Sequence, residues 1–118
     1  MIGDVLLDCA WARQTLAGFE NHAGRTILDP EAEPLGRVVD GFGNDGQSGF
    51  EGCRYRRVYG TYLHGPLLPR NPWFADLVLA DAIRHAGGEP ELAPLPDELE
   101  LQAHEVSAGR ARARGGRR

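Results

Sequence analysis

The sequence contains no lysine, and all 13 of its basic residues are arginine. We interpret this absence as a coding bias, such as a GC-rich genome produces, and not as chemistry. Cysteine is also scarce, because only Cys9 and Cys53 are present, and two cysteines do not make a disulfide framework. We therefore expect reduced thiols, as in a cytoplasmic protein.

Long apolar runs are missing as well. No segment approaches the roughly 20 apolar residues that a membrane span needs. Residues 1–12 have no basic region, and Asp4 and Asp8 interrupt their apolar run, so we expect no signal peptide. These absences favour a cytoplasmic location.

Charge is unevenly distributed along the 118 residues. From Val106 to Arg118 there are five arginines and no acid, so all 17 acidic residues precede Val106. An acidic globular part argues against a nucleic-acid surface. We predict one small domain over residues 1–105, followed by a disordered Arg/Gly-rich tail over residues 106–118.

Local patterns predict an α/β fold. Asn71 is a good N-cap, Pro72 suits the first helical position and Gly87 stops a helix, so we predict a helix over residues 71–86. Its apolar face would hold Ala75, Val78, Leu79, Ala82 and Ile83, a pattern into which Leu77 does not fit. Apolar and β-branched runs predict strands at residues 2–7, 15–19, 37–39 and 58–63, with 25–28 continuing or pairing with the second. A strand followed by a capped helix indicates α/β layers but leaves the strand order open.

Two motifs are weak indications of chemistry. Residues 41–46 match the dinucleotide fingerprint G-x-G-x-x-G, but a glycine-rich stretch follows where that motif needs a helix. The segment is better interpreted as a glycine-rich hairpin joining two strands. The histidines and cysteines have no zinc-site spacing, so we predict no metal site.

His64 is the strongest candidate for catalysis. It ends the predicted strand at residues 58–63 and is followed by Gly65 and Pro66. In an α/β sheet, the carboxyl ends of strands face the crevice that binds ligands. An imidazole there can take a proton from a thiol and pass it on, although a histidine that merely caps the strand is an equal alternative.

Three ordered motifs resemble one protein family. They are G-F-E-N-H-A-G-R-T at residues 18–26, G-F-G-N at 41–44 and G-T-Y-L-H-G-P-L-L-P-R-N-P at 60–72. Together they are similar to the CobB/CobQ-like class I glutamine amidotransferases, and within these to the GatD-type glutaminase subunit of lipid II isoglutaminyl synthase. The resemblance covers about residues 2–105. It implies the C-terminal part of a flavodoxin-like domain, with a mostly parallel sheet flanked by helices.

The resemblance also implies a mechanism and a partner. A cysteine attacks the side-chain amide of glutamine, while the histidine, His64 here, activates the thiol and protonates the departing ammonia. Asn21 and His22 fall where related enzymes run backbone past the bound glutamine. Ammonia would pass to a Mur-ligase-like subunit (MurT) that amidates D-glutamate in lipid II during peptidoglycan synthesis. ATP and Mg²⁺ would bind that partner, with no cofactor in this chain.

The sequence departs from the family in two places. The family's nucleophile lies upstream of the stretch matching Ile2, in a strand-turn-helix elbow that neither Cys9 nor Cys53 provides. The carboxylate that many class I amidotransferases carry two residues after the histidine is Pro66 here, so the partner is a plausible donor of that acid. We therefore expect this chain alone to be inactive. The alternatives are an amidotransferase of cobyrinic or cobyric acid synthesis, and a non-catalytic fragment that binds the partner.

Overall fold

A hairpin of two eight-residue strands forms the centre of the computed structural model, which describes residues 1–115. Strand β1 (Ile2–Cys9) pairs along its whole length with β2 (Gln14–Asn21). The chain reverses through a tight turn, in which the Ala12 amide donates to the Cys9 carbonyl at 2.9 Å. A connection this short can join only antiparallel strands.

The main sheet has five strands in the order β4-β3-β1-β2-β7, and every neighbouring pair is antiparallel. The expected mostly parallel, flavodoxin-like sheet is therefore wrong for this part of the chain. The short links within the β1–β2 and β3–β4 pairs allow only antiparallel pairing, because parallel pairing needs a crossover of a dozen or more residues. The other strands are β3 (Gly36–Asp40), β4 (Phe50–Glu51) and β7 (Leu63–His64) of this sheet, and β5 (Cys53–Tyr55) and β6 (Val58–Gly60), which form a separate two-stranded sheet.

Helices cover both faces of the main sheet, so the α/β class is confirmed. They are α1 (Leu67–Arg70), α2 (Pro72–His85) and α3 (Glu98–Gly115). On one face, Phe74 of α2 packs in a buried cluster with Leu7 and Leu16. On the other, Ala108 and Ala111 of α3 pack against Leu6 and Ala17. These apolar contacts hold the central hairpin between two helical layers.

Several local predictions differ from the structure. The run at residues 58–63 is split between β6 and β7, which belong to different sheets, and residues 25–28 form no strand. The tail expected to be disordered from residue 106 is helical as far as Gly115, while residues 116–118 lie outside the described part. Its small residues Ala108 and Ala111 can approach the sheet closely, and that packing gives the helix its stability. Among the described residues, no helix has the length and apolar character to cross a membrane.

Candidate active site

His64 lies on the edge strand of the main sheet. It pairs with Phe19 of β2, and its exposed imidazole meets the Phe19 ring edge-on at a centroid distance of 5.7 Å. The neighbouring Leu63 is buried and anchors the strand to the core. Gly65 then takes a positive φ of 73°, a conformation that glycine adopts without steric cost, so the chain turns sharply away from the imidazole. The predicted position of His64 at a strand end is thus found in the structure.

The segment before His64 is held by a buried carboxylate. Glu51 accepts hydrogen bonds from the Thr61 hydroxyl at 2.9 and 3.0 Å and from the Tyr62 amide at 2.6 Å. Its side chain is fully buried, and this burial raises the pKa of Glu51 to about 7. The approach to His64 is therefore fixed by a group that titrates near neutral pH.

Asn21 and His22 follow the Glu20–Leu63 pair at one end of the β2–β7 ladder, whereas His64 pairs with Phe19 at the other end. Asn21 is the exposed last residue of β2. The His22 ring stacks on Tyr62 at a centroid distance of 3.7 Å, with its Nδ1 at 2.9 Å from the Gly24 carbonyl oxygen. The side chain of His22 is thus engaged in local contacts. Their predicted part in binding glutamine stays a prediction.

A second buried carboxylate, Glu20, organises the glycine-rich hairpin. It accepts hydrogen bonds from the Phe42 amide at 2.6 Å and the Gly43 amide at 3.0 Å, and lies 3.4 Å from Nε2 of His22. Gly43 has a φ of 72°, and a Cβ there would collide with the Phe50 carbonyl. The motif G-F-G-N is therefore the turn between β3 and β4, which confirms its interpretation as a hairpin.

Neither cysteine is placed to attack a substrate beside His64. Cys9 ends β1 inside the apolar core, where burial, with smaller contributions from Asp8 and Glu51, raises the pKa of its thiol to about 12. Cys53 begins β5 in the separate two-stranded sheet and is half-buried. Within residues 1–115, we find no hydrogen bond from either thiol to His64. The same residues contain no group of three or more histidines, cysteines and acids that could hold a metal ion.

An open groove of about 660 Å³ lies beside His64. Its walls are formed by Phe19, Gly65 and side chains from α1 and α3, including Arg70, Arg110 and Arg114. Arg114 is 3.5 Å from Asp4, whereas Arg70 and Arg110 have no ion-pair partner among the described residues. These guanidinium groups give the groove a positive field that suits anions. Sequence reasoning missed the groove, because the tail was expected to be disordered.

Sequence reasoning also missed both buried acids. Glu20 and Glu51 each follow a phenylalanine in a strand, Phe19 and Phe50, so the two side chains of each pair point to opposite faces. The usual expectation puts phenylalanine inward and glutamate outward. In β4 the opposite holds, since Phe50 is 42% exposed and Glu51 is fully buried. Glu51 can be buried there because Thr61 and Tyr62, which are close to it in space, donate hydrogen bonds to its carboxylate.

Comparison with known proteins relates this geometry to a family. Residues 1–72 match the model of the CobB/CobQ-like glutamine amidotransferase domain. The chain is 39% identical over 111 residues to lipid II isoglutaminyl synthase (glutamine-hydrolyzing) subunit GatD of Staphylococcus aureus, a match covering 94% of this chain and 44% of the relative. The same subunit of Streptococcus pneumoniae is 37% identical over 114 residues, covering 95% of this chain and 44% of the relative.

A shorter match involves a different kind of enzyme. A probable cobyric acid synthase of Methanothermobacter thermautotrophicus is 46% identical over 52 residues, which is 44% of this chain and 10% of that relative. The chain thus spans less than half of the length of each of these curated relatives.

Proposed function

Because the chain belongs to the CobB/CobQ-like glutamine amidotransferase family, we propose that it is the histidine-bearing part of a glutaminase that supplies ammonia for the amidation of lipid II. The observation that carries the proposal is the similarity to two GatD subunits over nearly the whole chain. His64 stands on an exposed sheet edge within that matched region. The acceptor would be the D-glutamate of the lipid II stem peptide, activated with ATP and Mg²⁺ by a Mur-ligase-like subunit.

His64 is the general base and acid of the proposed reaction. Its imidazole takes the proton of a cysteine thiol, and the thiolate attacks the side-chain carbonyl carbon of glutamine. When the C–N bond breaks, the imidazolium returns the proton to the departing ammonia and a thioester remains. Water then hydrolyses the thioester to glutamate and frees the thiol. Since Cys9 and Cys53 do not fit the role, the proposed thiolate comes from outside these residues, and Asn21 and His22 line the glutamine with their backbone.

The test is a reconstitution with the complete protein. The full-length protein and a Mur-ligase-like subunit are purified together and given lipid II, ATP, Mg²⁺ and glutamine labelled with ¹⁵N in the side-chain amide. Amidated lipid II carrying ¹⁵N, detected by mass spectrometry, is the expected product. Ammonium chloride in place of glutamine should bypass His64, so a His64→Ala variant keeps ammonia-dependent amidation and loses the glutamine-dependent reaction.

The cobyric acid synthase matches favour one alternative acceptor. The same reconstitution with a cobyrinic acid substrate would amidate that compound if the protein belonged to cobalamin synthesis. Labelled lipid II with no labelled corrinoid supports our proposal, and the reverse contradicts it. Amidation of neither substrate would favour a non-catalytic fragment that only binds its partner.

The 118 residues alone should not release glutamate from glutamine. Catalysis needs a thiolate within hydrogen-bond reach of the base, about 2.6–3.2 Å, and the Cys9 thiol is buried and protonated. Strand β7 also leaves one edge of the main sheet unpaired among residues 1–115, which favours self-association. The measurements are a glutamate-release assay and size-exclusion chromatography. A monomer whose glutamate release depends on Cys9 or Cys53 would contradict this prediction.

Glutamine hydrolysis by the complete glutaminase should increase when the Mur-ligase-like partner is added. Pro66 offers no carboxylate, and within residues 1–115 we find no acid hydrogen-bonded to His64. An imidazole that lacks an orienting acid loses much of its efficiency as a base. Glutamate release is measured with and without the partner, in the absence of lipid II. Equal rates in the two conditions would show that no acid from the partner is required.

A further inference from the structure

The buried side chain of Glu51 binds the two residues that precede the strand carrying His64. Glu51 ends β4 and is fully buried, and among residues 1–115 no arginine forms an ion pair with it. Its three hydrogen bonds come from the hydroxyl and amide of consecutive residues, Thr61 and Tyr62. The hydrogen bonds of this buried acid thus hold the two residues that precede β7.

These hydrogen bonds continue into β7. The Thr61 hydroxyl accepts a hydrogen bond from the Leu63 amide at 3.0 Å while it donates to Glu51. Strand β7 itself has only two residue pairs with β2, at Leu63 and His64. So short a ladder fixes a strand poorly by itself, and the bonds to Glu51 supply much of the remaining constraint.

Other ionisable groups face Glu51 from three elements. Glu20 at the end of β2 raises the pKa of Glu51, and His22 just after β2 lowers it, while burial is the largest cause of its rise to about 7. Cys9 at the end of β1 feels the negative charge of Glu51, which raises the pKa of its thiol. The ring of Tyr62 lies over His22. Burial thus makes the largest contribution to the raised pKa of Glu51, and the nearby charges modify it.

We propose that Glu51 is a positioning residue for His64, acting through the hydroxyl of Thr61 and the amide of Tyr62. Its role in turnover rests on the proposed function of His64, but its hold on β7 does not. Misplacing a catalytic group by about 1 Å can cost up to ~10²-fold in rate. Glu51→Ala should therefore lower kcat by about tenfold or more and change KM little, because Glu51 acts on the base and not on the substrate.

The Glu51→Gln variant keeps hydrogen bonds to Thr61 and Tyr62 but removes the ionisable carboxyl group. Its amide oxygen can still accept from the Tyr62 amide, and its NH₂ group can donate to the Thr61 hydroxyl. The kcat of this variant should be much higher than that of Glu51→Ala and close to that of the wild type. Its pH profile should lack the contribution of Glu51. The exposed Glu31→Gln is a matched control that should resemble the wild type.

Ionisation of Glu51 also changes the stability of the folded protein. The folded pKa of Glu51 is raised from 4.5 to about 7, so the native protein holds a proton that the unfolded chain has lost between those values. This contribution to stability is fully present below pH 4.5 and is lost as the pH rises through about 7. The free energy of unfolding, measured in urea, should decline less between pH 5 and 8 in Glu51→Gln than in the wild type.

Nuclear magnetic resonance tests the hold on His64 without turnover. The complete protein is labelled with ¹⁵N in tyrosine and ¹³C at histidine Cε1, and the Tyr62 and His64 signals are assigned by Tyr62→Phe and His64→Ala. In the wild type, the Tyr62 amide should titrate with a midpoint of about 7, and the His64 ring should sense the same step. The contribution of Glu51 to both signals should disappear in Glu51→Gln, while His22→Ala removes any contribution of the ring stacked on Tyr62.

Each outcome of the titration supports or overturns the proposal. The same titration of Tyr62 and His64 in Glu51→Gln and in the wild type would overturn the positioning role, even if His64 is catalytic. The expected titrations with no glutaminase activity would instead leave the positioning intact and contradict the proposed function. If Glu51→Ala does not fold, the comparison of Glu51→Gln with Glu31→Gln carries the test.

Discussion

Replacing His64 by alanine is expected to lower glutamate release by at least ~10²-fold in the complete glutaminase, the usual scale of general acid–base catalysis. The imidazole lies on an exposed strand edge and contacts the Phe19 ring, so its removal disturbs little of the core. The loss should fall on kcat, with the folded structure intact by circular dichroism.

Two histidine variants control for that experiment. His85→Ala removes an exposed imidazole at the end of α2 and should leave activity unchanged. His22→Ala removes a ring stacked on Tyr62 and should cost less than His64→Ala. Turnover of His64→Ala within a few-fold of the wild type would remove His64 from the mechanism.

Replacing Asn71 by alanine should destabilise the protein by about 3 kcal/mol or more. The buried Asn71 amide receives the Ala17 amide hydrogen at 2.9 Å and donates to the carbonyl oxygens of Ala17, at 2.9 Å, and Leu67, at 2.7 Å. Alanine would leave two buried backbone groups of Ala17 unpaired, each at about 1–3 kcal/mol, together with the half-buried Leu67 carbonyl. A loss of this size lowers the Tm of a small domain by roughly 10 °C or more.

The measurement is thermal and urea unfolding of Asn71→Ala beside two other variants. Asn21→Ala removes an exposed amide at the end of β2 and should change stability by less than about 0.5 kcal/mol. Asn71→Asp keeps an acceptor for the Ala17 amide but places a buried carboxyl group beside two carbonyl oxygens, so a loss at least as large as that of Asn71→Ala is expected. A loss below about 1 kcal/mol in Asn71→Ala would mean that water replaces the missing side chain.

Asn71 also shows how far sequence reasoning reaches. Its type and the following Pro72 correctly predicted the start of α2, because both preferences are local. The same reasoning assigned its side chain to the helix cap, yet the structure has no such hydrogen bond. The amide instead pairs with Ala17 on the sheet. Which buried backbone group an amide meets is decided by tertiary contacts, which a single sequence does not reveal.

The buried face of α2 differs from its prediction for a related reason. Periodicity selected Leu79, which is 53% exposed, and left out Leu77, which packs against the core. Phe74 belongs to the buried cluster and Trp73 packs against it, so the helix is oriented with these two rings toward the core. Large rings bury more surface than the aliphatic side chains that formed the expected stripe, so they decide the orientation.

The sheet direction illustrates the limit of resemblance. The motifs around Gly18 and His64 identified the family, and residues 1–72 match its domain model. The mostly parallel sheet that the family implied is not what these residues form, and the short links within the β1–β2 and β3–β4 pairs allow only antiparallel pairing. Motifs therefore located the candidate base, whereas its pairing with Phe19 of β2, which is distant along the chain, depends on tertiary contacts.

The unequal length of the strand ladders has a kinetic consequence. Strands β1 and β2 form eight residue pairs and are joined by a local turn. Strand β7 forms only two residue pairs with β2, from which it is distant along the chain. Local pairings close at little entropic cost, so the hairpin forms early in folding and β7 docks late. By the same reasoning, β7 opens and closes without unfolding the hairpin. We therefore expect β7 to open more readily than the hairpin, so that His64 can move while β1 and β2 stay paired.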